Sequence, residues 1–262
     1  MDRIDILNSF YAGIDEDSRL TSRTGSLEFL TTVKYVEKYL KSGDKILEIG
    51  AGTGRYSHYF ANNGYEVDAI ELTDHNIEVF KSHVNEKEKI TITKGDAINL
   101  TGVESDKYDI TLLLGPMYHL YNEKDKLSAL GEALRVTKRG GVIFVAYTLA
   151  DAVIIHYGFG RNELKDFIDR DLYNTDTFTF KSVAEEIFEL YRREDIFSLM
   201  SHFDVTRLHY VGTDMVTQYM RDVINAMNEE EFELYKKYHF FICERDDLVG
   251  IANHSLDIFR KN

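Results

Sequence analysis

The chain contains the run Ile46-Leu47-Glu48-Ile49-Gly50-Ala51-Gly52-Thr53-Gly54-Arg55, in which an apolar segment ends in an acid and three glycines. Glycine adopts backbone angles closed to other residues and lets the main chain approach a ligand without an intervening Cβ. The next residues, Tyr56 to Asn62, have a helical pattern that Gly64 can end. The run therefore predicts a strand, a tight turn and a helix. The turn either binds a ligand or is only a tight connection.

After this unit, strands and helices continue to alternate as far as about residue 150. Two helices are predicted, one with Asp74 as its N-cap and one from about Glu123 to Val136. Strands that read as continuous apolar runs between helices imply a parallel sheet buried on both faces, with ligands bound beyond the carboxyl ends of the strands. After the first strand, Lys45 to Ile49, the predicted strands are Glu66 to Leu72, Lys89 to Thr93, Tyr108 to Leu114 and Val142 to Thr148.

The pattern changes after Ala150. Residues 151 to about 200 are predicted to be largely helical, and the remaining segments are predicted as a strand at Phe203 to Val211, helices at Asp214 to Asn225 and Glu229 to Phe241, and a strand at His254 to Phe259. An amphipathic helix is expected around the apolar positions Val183, Ile187, Leu190 and Tyr191. We therefore expect an α/β fold with a doubly wound, mostly parallel seven-stranded sheet and a helical insert after the fifth strand. Residues 1–262 would form one domain, with a helical cap at 1–40 and a lid at 151–203.

The composition of the chain indicates which ligands and partners it is not expected to bind, namely nucleic acid, metal ions and membranes. The chain has 31 basic and 45 acidic residues and a net charge of -14, which disfavours binding to nucleic acid. The single cysteine, Cys243, excludes a disulfide framework and thiolate-rich metal sites, and the histidines follow no ligand spacing, so no metal is expected. Met1 to Asp5 shows no secretory signal, and Gly141 to Ala150 is too short to span a membrane. A cytoplasmic protein that binds no membrane is expected, in an oligomeric state that the sequence does not indicate.

A dinucleotide site is the first alternative for the glycine turn. Its fingerprint, Gly-x-Gly-x-x-Gly, requires a third glycine at position 55 or 57, where this chain has Arg55 and Ser57. Glu48 would also repel a pyrophosphate, whereas it would attract the cationic end of an amino acid. The turn therefore favours a ligand with a cationic amino acid end over a dinucleotide.

The turn resembles the first motif of the class I S-adenosylmethionine-dependent methyltransferases, acid-x-Gly-x-Gly-x-Gly. Glu48, Gly50, Gly52 and Gly54 match this motif, and the resemblance extends over residues 45 to 150. It implies a Rossmann-like methyltransferase fold with S-adenosyl-L-methionine as the cofactor. It also implies that Gly50, Ala51 and Gly52, in a turn completed by Gly54, hold the methionine part of the cofactor, with Glu48 near its amino group.

Two further strand ends extend the expected cofactor site. Glu71 lies 19 residues after Gly52, the spacing at which an acid accepts hydrogen bonds from both ribose hydroxyls, and Leu72 would pack against the adenine. Asp96 and Ala97 resemble the third motif of the family, which contacts the adenine amino group. The alternative for Glu71 is a solvated acid at a strand end. The alternative for Asp96 and Ala97 is a plain turn.

The fourth strand leads into Leu114-Gly115-Pro116-Met117-Tyr118-His119-Leu120, which contains the only proline of the chain. Methyltransferases that act on amino groups of nucleic acid bases carry Asn/Asp-Pro-Pro-Tyr/Phe at this point. The segment instead resembles the ubiquinone-biosynthesis-like branch, which acts on small molecules. Leu114 joins the expected cofactor site, His119 is the candidate general base, and Tyr118 would orient the acceptor by a hydrogen bond. The alternative for His119 is a packing role beneath the lid.

The segment before the first strand carries Tyr11, Arg19 and Arg23, followed by a helix predicted from Ser26 to Leu40. In the branch that the chain resembles, such a segment often folds over the cofactor. An aromatic face favours a cation, so Tyr11 would face the sulfonium, and an arginine would hold a carboxylate. A surface helix with solvated charges is an equal alternative.

These observations predict an S-adenosylmethionine-dependent methyltransferase that acts on an oxygen or nitrogen of a small-molecule acceptor. Two other functions stay open. The first is a module that binds the cofactor without catalysis. The second, an RNA methyltransferase, is disfavoured by the acidic charge and by the segment after the fourth strand.

Overall fold

The computed structural model describes residues 3–14 and 22–262. Its strands are β1 (Lys45–Ile49), β2 (Glu66–Glu71), β3 (Ile90–Lys94), β4 (Tyr108–Leu113), β5 (Thr137–Thr148), β6 (Tyr173–Asn174), β7 (Thr179–Phe180), β8 (Val205–Gly212) and β9 (His254–Lys261). The α-helices of the described residues are α1 (Arg3–Ala12), α2 (Arg23–Glu37), α3 (Arg55–Asn62), α4 (Asp74–His83), α5 (Glu123–Val136), α6 (Ala150–Val153), α7 (Leu164–Asp169), α8 (Arg193–Met200), α9 (Arg221–Ala226) and α10 (Glu229–Ile242).

One seven-stranded sheet runs through the structure in the order β3-β2-β1-β4-β5-β9-β8. Strands β1 to β5 pair with one another in parallel, whereas β9 is antiparallel to β5 and to β8. Strand order reverses at β1, which pairs with β2 on one side and β4 on the other. The predicted doubly wound, mostly parallel α/β fold is confirmed, and β1 lies at the switch point where such sheets bind ligands.

The central strands are apolar on both faces because helices cover both faces. Ile46 and Leu47, whose side chains point to opposite faces of β1, are both fully buried. Phe144 in β5 and Leu130 in α5 are also fully buried. Burial of consecutive residues is what the continuous apolar runs predicted. Among residues 3–14 and 22–262, no helix is long and apolar enough to cross a membrane.

Two glycines of the β1–α3 turn sit where a side chain would collide with the core. Gly50 has φ of +77°, and a Cβ on it would lie 2.5 Å from Cδ of Pro116. Gly54 has φ of +93°, and a Cβ there would lie 2.4 Å from the buried ring of Phe80. These positions require glycine for backbone angle and for packing alike.

Residues 183–191 differ from the predicted amphipathic helix. A short 3-10 turn spans Ala184–Glu186, Ile187 has φ of +68°, and the chain then runs extended to Tyr191. The Tyr191 N–H donates to the Thr148 carbonyl at 2.9 Å, and the Tyr191 hydroxyl donates to the Met117 carbonyl at 2.8 Å. Contacts with the end of β5 and with Met117 therefore hold Tyr191 buried in a nonhelical segment, whereas Val183, Ile187 and Leu190 are half-buried. The rest of the insert also contains a small hairpin, β6–β7, so it is less helical than expected.

Three other boundaries also differ from the prediction. Helix α2 begins at Arg23 rather than Ser26, because the Ser22 hydroxyl caps it by accepting from the Gly25 N–H. Thr73, not Asp74, occupies the N-cap position of α4. The predicted helix from Asp214 is absent over its first residues, since the Asp214 carboxylate accepts the backbone N–H groups of residues 253 and 254 instead.

Candidate functional site

A cavity lies at the carboxyl ends of β1, β2 and β4, around the glycine turn. It is lined by all but one of the residues predicted to form the site. These are Tyr11, Glu48, Gly50, Ala51, Gly52, Glu71, Leu72, Asp96, Ala97, Leu114, Tyr118 and His119. Gly54 does not line the cavity, because it packs on Phe80 and shapes the turn from behind. The parallel strands bring the residues at their carboxyl ends together, and helix α1 adds Tyr11, which contacts a residue 108 positions away, His119.

Glu71 ties the end of β2 to the glycine turn. One carboxylate oxygen accepts the Gly52 N–H at 2.9 Å, and the other accepts the Thr73 N–H at 2.9 Å and the Thr73 hydroxyl at 2.8 Å. The residue is only 6% exposed. The Asn76 amide also donates to the oxygen that accepts from Thr73, at 3.4 Å. Each carboxylate oxygen has two lone pairs, so the oxygen that accepts from Gly52 keeps acceptor capacity for a ligand hydroxyl. Glu71 therefore shapes the turn and faces the cavity at the same time.

Glu48 is the more deeply buried acid of the site. It is 1% exposed, and the Ser57 hydroxyl donates a hydrogen bond to its carboxylate. Burial raises the pKa of Glu48 to about 8, the nearby Glu71 raises it slightly, and the Ser57 hydrogen bonds oppose the increase. A buried carboxyl of this kind is neutral near pH 7 until a cation approaches it. Glu48 thus provides a latent negative charge at the base of the cavity.

Helix α1 covers the cavity from the solvent side. Arg3 forms an ion pair with Asp96, and Leu7 and Tyr11 also line the cavity from this helix. Spacings of four residues place these three side chains along one face of α1. Tyr11 was predicted to join the site, but Arg3 and Leu7 were not, because no motif connects residue 3 with residue 96. The only available signal was the spacing of four itself.

His119 lies beneath Tyr11 and is 6% exposed. Its Nδ1 is 2.9 Å from the Ile187 carbonyl, and its Nε2 is 2.8 Å from the Tyr11 hydroxyl. A carbonyl only accepts, so Nδ1 carries the proton, and the Tyr11 hydroxyl donates to Nε2. Burial lowers the pKa of His119 to about 4, so the imidazole is neutral at physiological pH.

A second cavity of about 540 Å³ adjoins the first. The two cavities share two residues, Tyr11 and Tyr118. The second one is closed on its other sides by α2 and by the insert after β5, including Tyr157, Phe167 and Phe180. The structure thus contains two adjoining compartments with a pair of tyrosines at their boundary.

The remaining candidates lie away from these compartments or outside the described residues. Arg23 donates hydrogen bonds to the Met227 carbonyl and to the Glu229 carboxylate, so it connects α2 with the start of α10. Arg19 lies outside the described residues. In the described part of the chain, no group of three or more histidine, cysteine, aspartate or glutamate side chains could hold a metal ion.

Comparison with known proteins connects this geometry with a family. Residues 47–145 match the family described as methyltransferase domain. A demethylmenaquinone methyltransferase of Renibacterium salmoninarum is 33% identical over 104 residues, which cover 40% of this chain and 41% of that protein. An S-adenosyl-L-methionine-dependent Diels–Alderase of Talaromyces variabilis is 29% identical over 106 residues, which cover 39% of this chain and 35% of that protein. These matches therefore span less than half of either relative.

A solved structure supports the fold over a longer stretch. A methyltransferase dependent on S-adenosylmethionine from Methanosarcina mazei superposes with a TM-score of 0.58 at 16% identity. The match covers 87% of this chain and 96% of that one. The cavity fits the cofactor of this family, because Glu48 offers a buried carboxylate to an ammonium and Glu71 offers acceptors to ribose hydroxyls.

The first prediction concerns Glu71. The Glu71→Gln variant should bind S-adenosylhomocysteine about 1 to 3 kcal/mol more weakly, because hydrogen bonds to a charged acceptor contribute that much. Titration calorimetry measures the difference. The Glu66→Gln variant is the control, since Glu66 begins the same strand and pairs with Lys45 at the surface. Equal affinity of the wild type and Glu71→Gln would refute the assignment.

The second prediction concerns proton release at Glu48. At pH 7 the free carboxyl is mostly protonated, because its pKa is about 8. A nearby ammonium stabilises the charged form, so binding of S-adenosylmethionine should expel about one proton. Calorimetry in two buffers of different ionisation enthalpy measures this release. We expect it in the wild type and not in Glu48→Gln, and a wild-type binding heat that is independent of the buffer would contradict the role of Glu48.

Proposed function

We propose that this chain, whose residues 47–145 match a methyltransferase domain, transfers a methyl group from S-adenosylmethionine to an oxygen or nitrogen of a small molecule. The observation that carries this proposal is the pair of adjoining cavities. One has the carboxylates and the glycine turn of a cofactor site, and the other has room for a separate molecule. Such a reaction requires two ligands that meet at one point, and Tyr11 and Tyr118 border that point.

The relatives support a small-molecule acceptor. The name of the relative from Renibacterium salmoninarum specifies demethylmenaquinone, a small molecule. A volume of about 540 Å³ is within the range of small-molecule pockets, and the net charge of -14 disfavours RNA. The Diels–Alderase name favours a second candidate function, in which the chain binds the cofactor without consuming it.

The reaction would depend mainly on positioning. S-adenosylmethionine, when bound, supplies an electrophilic methyl group on its sulfonium. Gly50, Ala51 and Gly52 would hold its amino acid part with Glu48, and Glu71 would hold the ribose. The site near the adenine would consist of Leu72, Asp96, Ala97 and Leu114. Holding the acceptor in line with the methyl group then supplies much of the rate, because an oriented pair reacts without the entropy loss of a free encounter.

Tyr11 and His119 would act as a pair in which Tyr11 contacts the acceptor. A hydroxyl that donates its proton keeps two lone pairs, with which Tyr11 would accept the acceptor's O–H or N–H. A general base is most effective with a pKa near the working pH, and the pKa of His119 lies far below it. We therefore assign His119 a positioning role for the Tyr11 hydroxyl, in place of the expected role as a base. Tyr118 would orient the acceptor from the other side of the opening.

The peripheral segments would control access to the site. Within a single domain of residues 1–262, residues 1–40 would serve as a cap on the cofactor cavity. Residues 151–203 would serve as a lid on the acceptor cavity, since Tyr157, Phe167 and Phe180 line it. The sole cysteine is free and buried, which supports a cytoplasmic location with its reducing conditions.

Turnover separates methyl transfer from cofactor binding without catalysis. Incubation with S-adenosylmethionine and a panel of small alcohols, phenols and amines should yield S-adenosylhomocysteine together with a product heavier by one methylene unit. Mass spectrometry detects both compounds. Tight binding of the cofactor with no turnover on any member of the panel would instead support a binding function.

The roles of Tyr11 and His119 are distinguished by three variants. Tyr11→Phe and His119→Ala should each lower kcat about tenfold or more, which is the effect of losing one hydrogen bond to a reacting group. His119→Gln should retain most of the activity, because its amide oxygen accepts from the Tyr11 hydroxyl but takes up no proton. Steady-state kinetics with an acceptor from the panel measures these effects.

The exposed His75, outside both cavities, supplies the matched control His75→Gln. An inactive His119→Gln variant would contradict the positioning role and restore the general base.

A further inference from the structure

We propose that helix α10 is the centre of a symmetric interface between two copies of this chain, in which the two α10 helices pack against each other in antiparallel orientation. This inference goes beyond the proposed function and does not depend on it. It follows from the apolar residues that α10 exposes and from the arrangement of charge along the same face.

One face of α10 is apolar and yet exposed. Leu234 is 69% exposed, Tyr238 is 54% exposed and Phe241 is 75% exposed. Spacings of four and three residues place these side chains on one face of the helix. On the preceding helix, α9, Val223 is 58% exposed. Single exposed apolar residues are ordinary, whereas several large ones on one helix face are typical of a contact surface.

The opposite face of α10 supplies the contacts with the rest of the domain. Phe232, His239 and Ile242 are buried there, and Nε2 of His239 lies 2.7 Å from the Thr31 hydroxyl of α2. The fold of a single chain therefore does not require apolar residues on the outer face. A second apolar surface that covered them would gain the free energy of removing them from water.

Charge along the outer face makes it complementary to a second copy of itself. Glu230 and Lys237 are seven residues apart, which is about two helical turns, so they lie along one flank of the helix with Leu234 between them. Lys236 pairs with Glu233 of its own helix. Glu230 and Lys237 are exposed, and within residues 3–14 and 22–262 neither is part of an ion pair. Both charges are therefore available to a partner.

A twofold axis close to Leu234 brings these opposite charges together. In an antiparallel pair each flank meets the same flank of the other helix, so Glu230 lies opposite the partner's Lys237, and the symmetry repeats this pair. The two Leu234 side chains then pack against each other at the centre. A parallel pair would instead place the three acids at positions 229–231 beside their own copies, and like charges repel. The charge pattern therefore selects the antiparallel orientation.

The size of this face sets the expected strength of the dimer. The 14 residues of α10 span about 21 Å. An interface built mainly on one helix of this length is smaller than a standard protein–protein interface, so we expect a Kd of about 1 to 100 µM. The net charge of -14 opposes association, and about 0.15 M salt screens this repulsion beyond about 8 Å.

The proposed interface lies behind one wall of the second cavity. Helix α2 contributes Thr24 and Gly25 to that wall, and α10 packs against α2 through His239 and Thr31. A partner that holds α10 therefore also supports the helix that carries part of the acceptor cavity.

Sedimentation velocity on the full chain tests the proposal. Between about 1 and 500 µM protein, in about 0.15 M salt, the wild type should change from monomer to dimer. Leu234→Glu should stay monomeric over this range, because it places two like charges at the centre of the interface. Val84→Glu is the matched control, since it adds the same charge at an apolar residue that is 42% exposed at the end of α4.

Charge reversal tests the orientation of the two helices. Glu230→Lys and Lys237→Glu should each weaken the dimer about 3- to 30-fold, because each creates two pairs of like charges. The double variant Glu230→Lys/Lys237→Glu should recover the wild-type Kd, because both pairs form again with their signs exchanged. Circular dichroism of each variant should match the wild type, which shows that association and not folding has changed.

Three results would overturn the proposal. The first is a wild type that stays monomeric at every concentration. The second is a dimer that Leu234→Glu leaves intact, since the chain would then associate through another surface. The third is a loss of association in both single charge reversals without recovery in the double variant, which would exclude the antiparallel arrangement.

Discussion

Two carboxylates buried side by side at the ends of β1 and β2 are the constraint on which the site depends. Burial of a charge is costly unless hydrogen bonds or an opposite charge compensate it. The chain meets this requirement for Glu71 with two amide groups and a hydroxyl, one of the amides belonging to the glycine turn. Glu48 instead keeps its proton, since burial holds its pKa at about 8. The glycine turn therefore donates a hydrogen bond to Glu71, and Glu48 lies at the base of the cavity beside it.

The parts of the fold that were predictable are those governed by local pattern. Strand β1 and helix α5 have the bounds that the sequence predicted, because apolar period, glycine and N-cap signals all agree there. The grouping of most predicted site residues around one cavity was predictable for a related reason. Parallel strands bring their carboxyl ends to one edge, so each acid that follows a strand lies near the others.

The parts that were missed depend on distant contacts. The apolar residues between 183 and 191 fit a helical period, but the hydrogen bonds of Tyr191 with Thr148 and Met117 hold the end of this segment in a nonhelical form. The ion pair between Arg3 and Asp96 joins residues 93 positions apart, and no local rule identifies it. The low pKa of His119 was missed as well, since it is set by burial and by the charge of Arg3, which joins the site through a distant contact.

Helix α1 connects the two ends of the cofactor cavity. Arg3 contacts Asp96 at one end, Tyr11 contacts His119 at the other, and eight residues of helix span about 12 Å between them. Movement of α1 away from the cavity must therefore break at least one of these two contacts. In the proposed reaction, a movement that breaks the contact of Tyr11 with His119 would also release the tyrosine hydroxyl from its alignment, so ligand exchange beneath this end of the helix would be coupled to loss of that alignment.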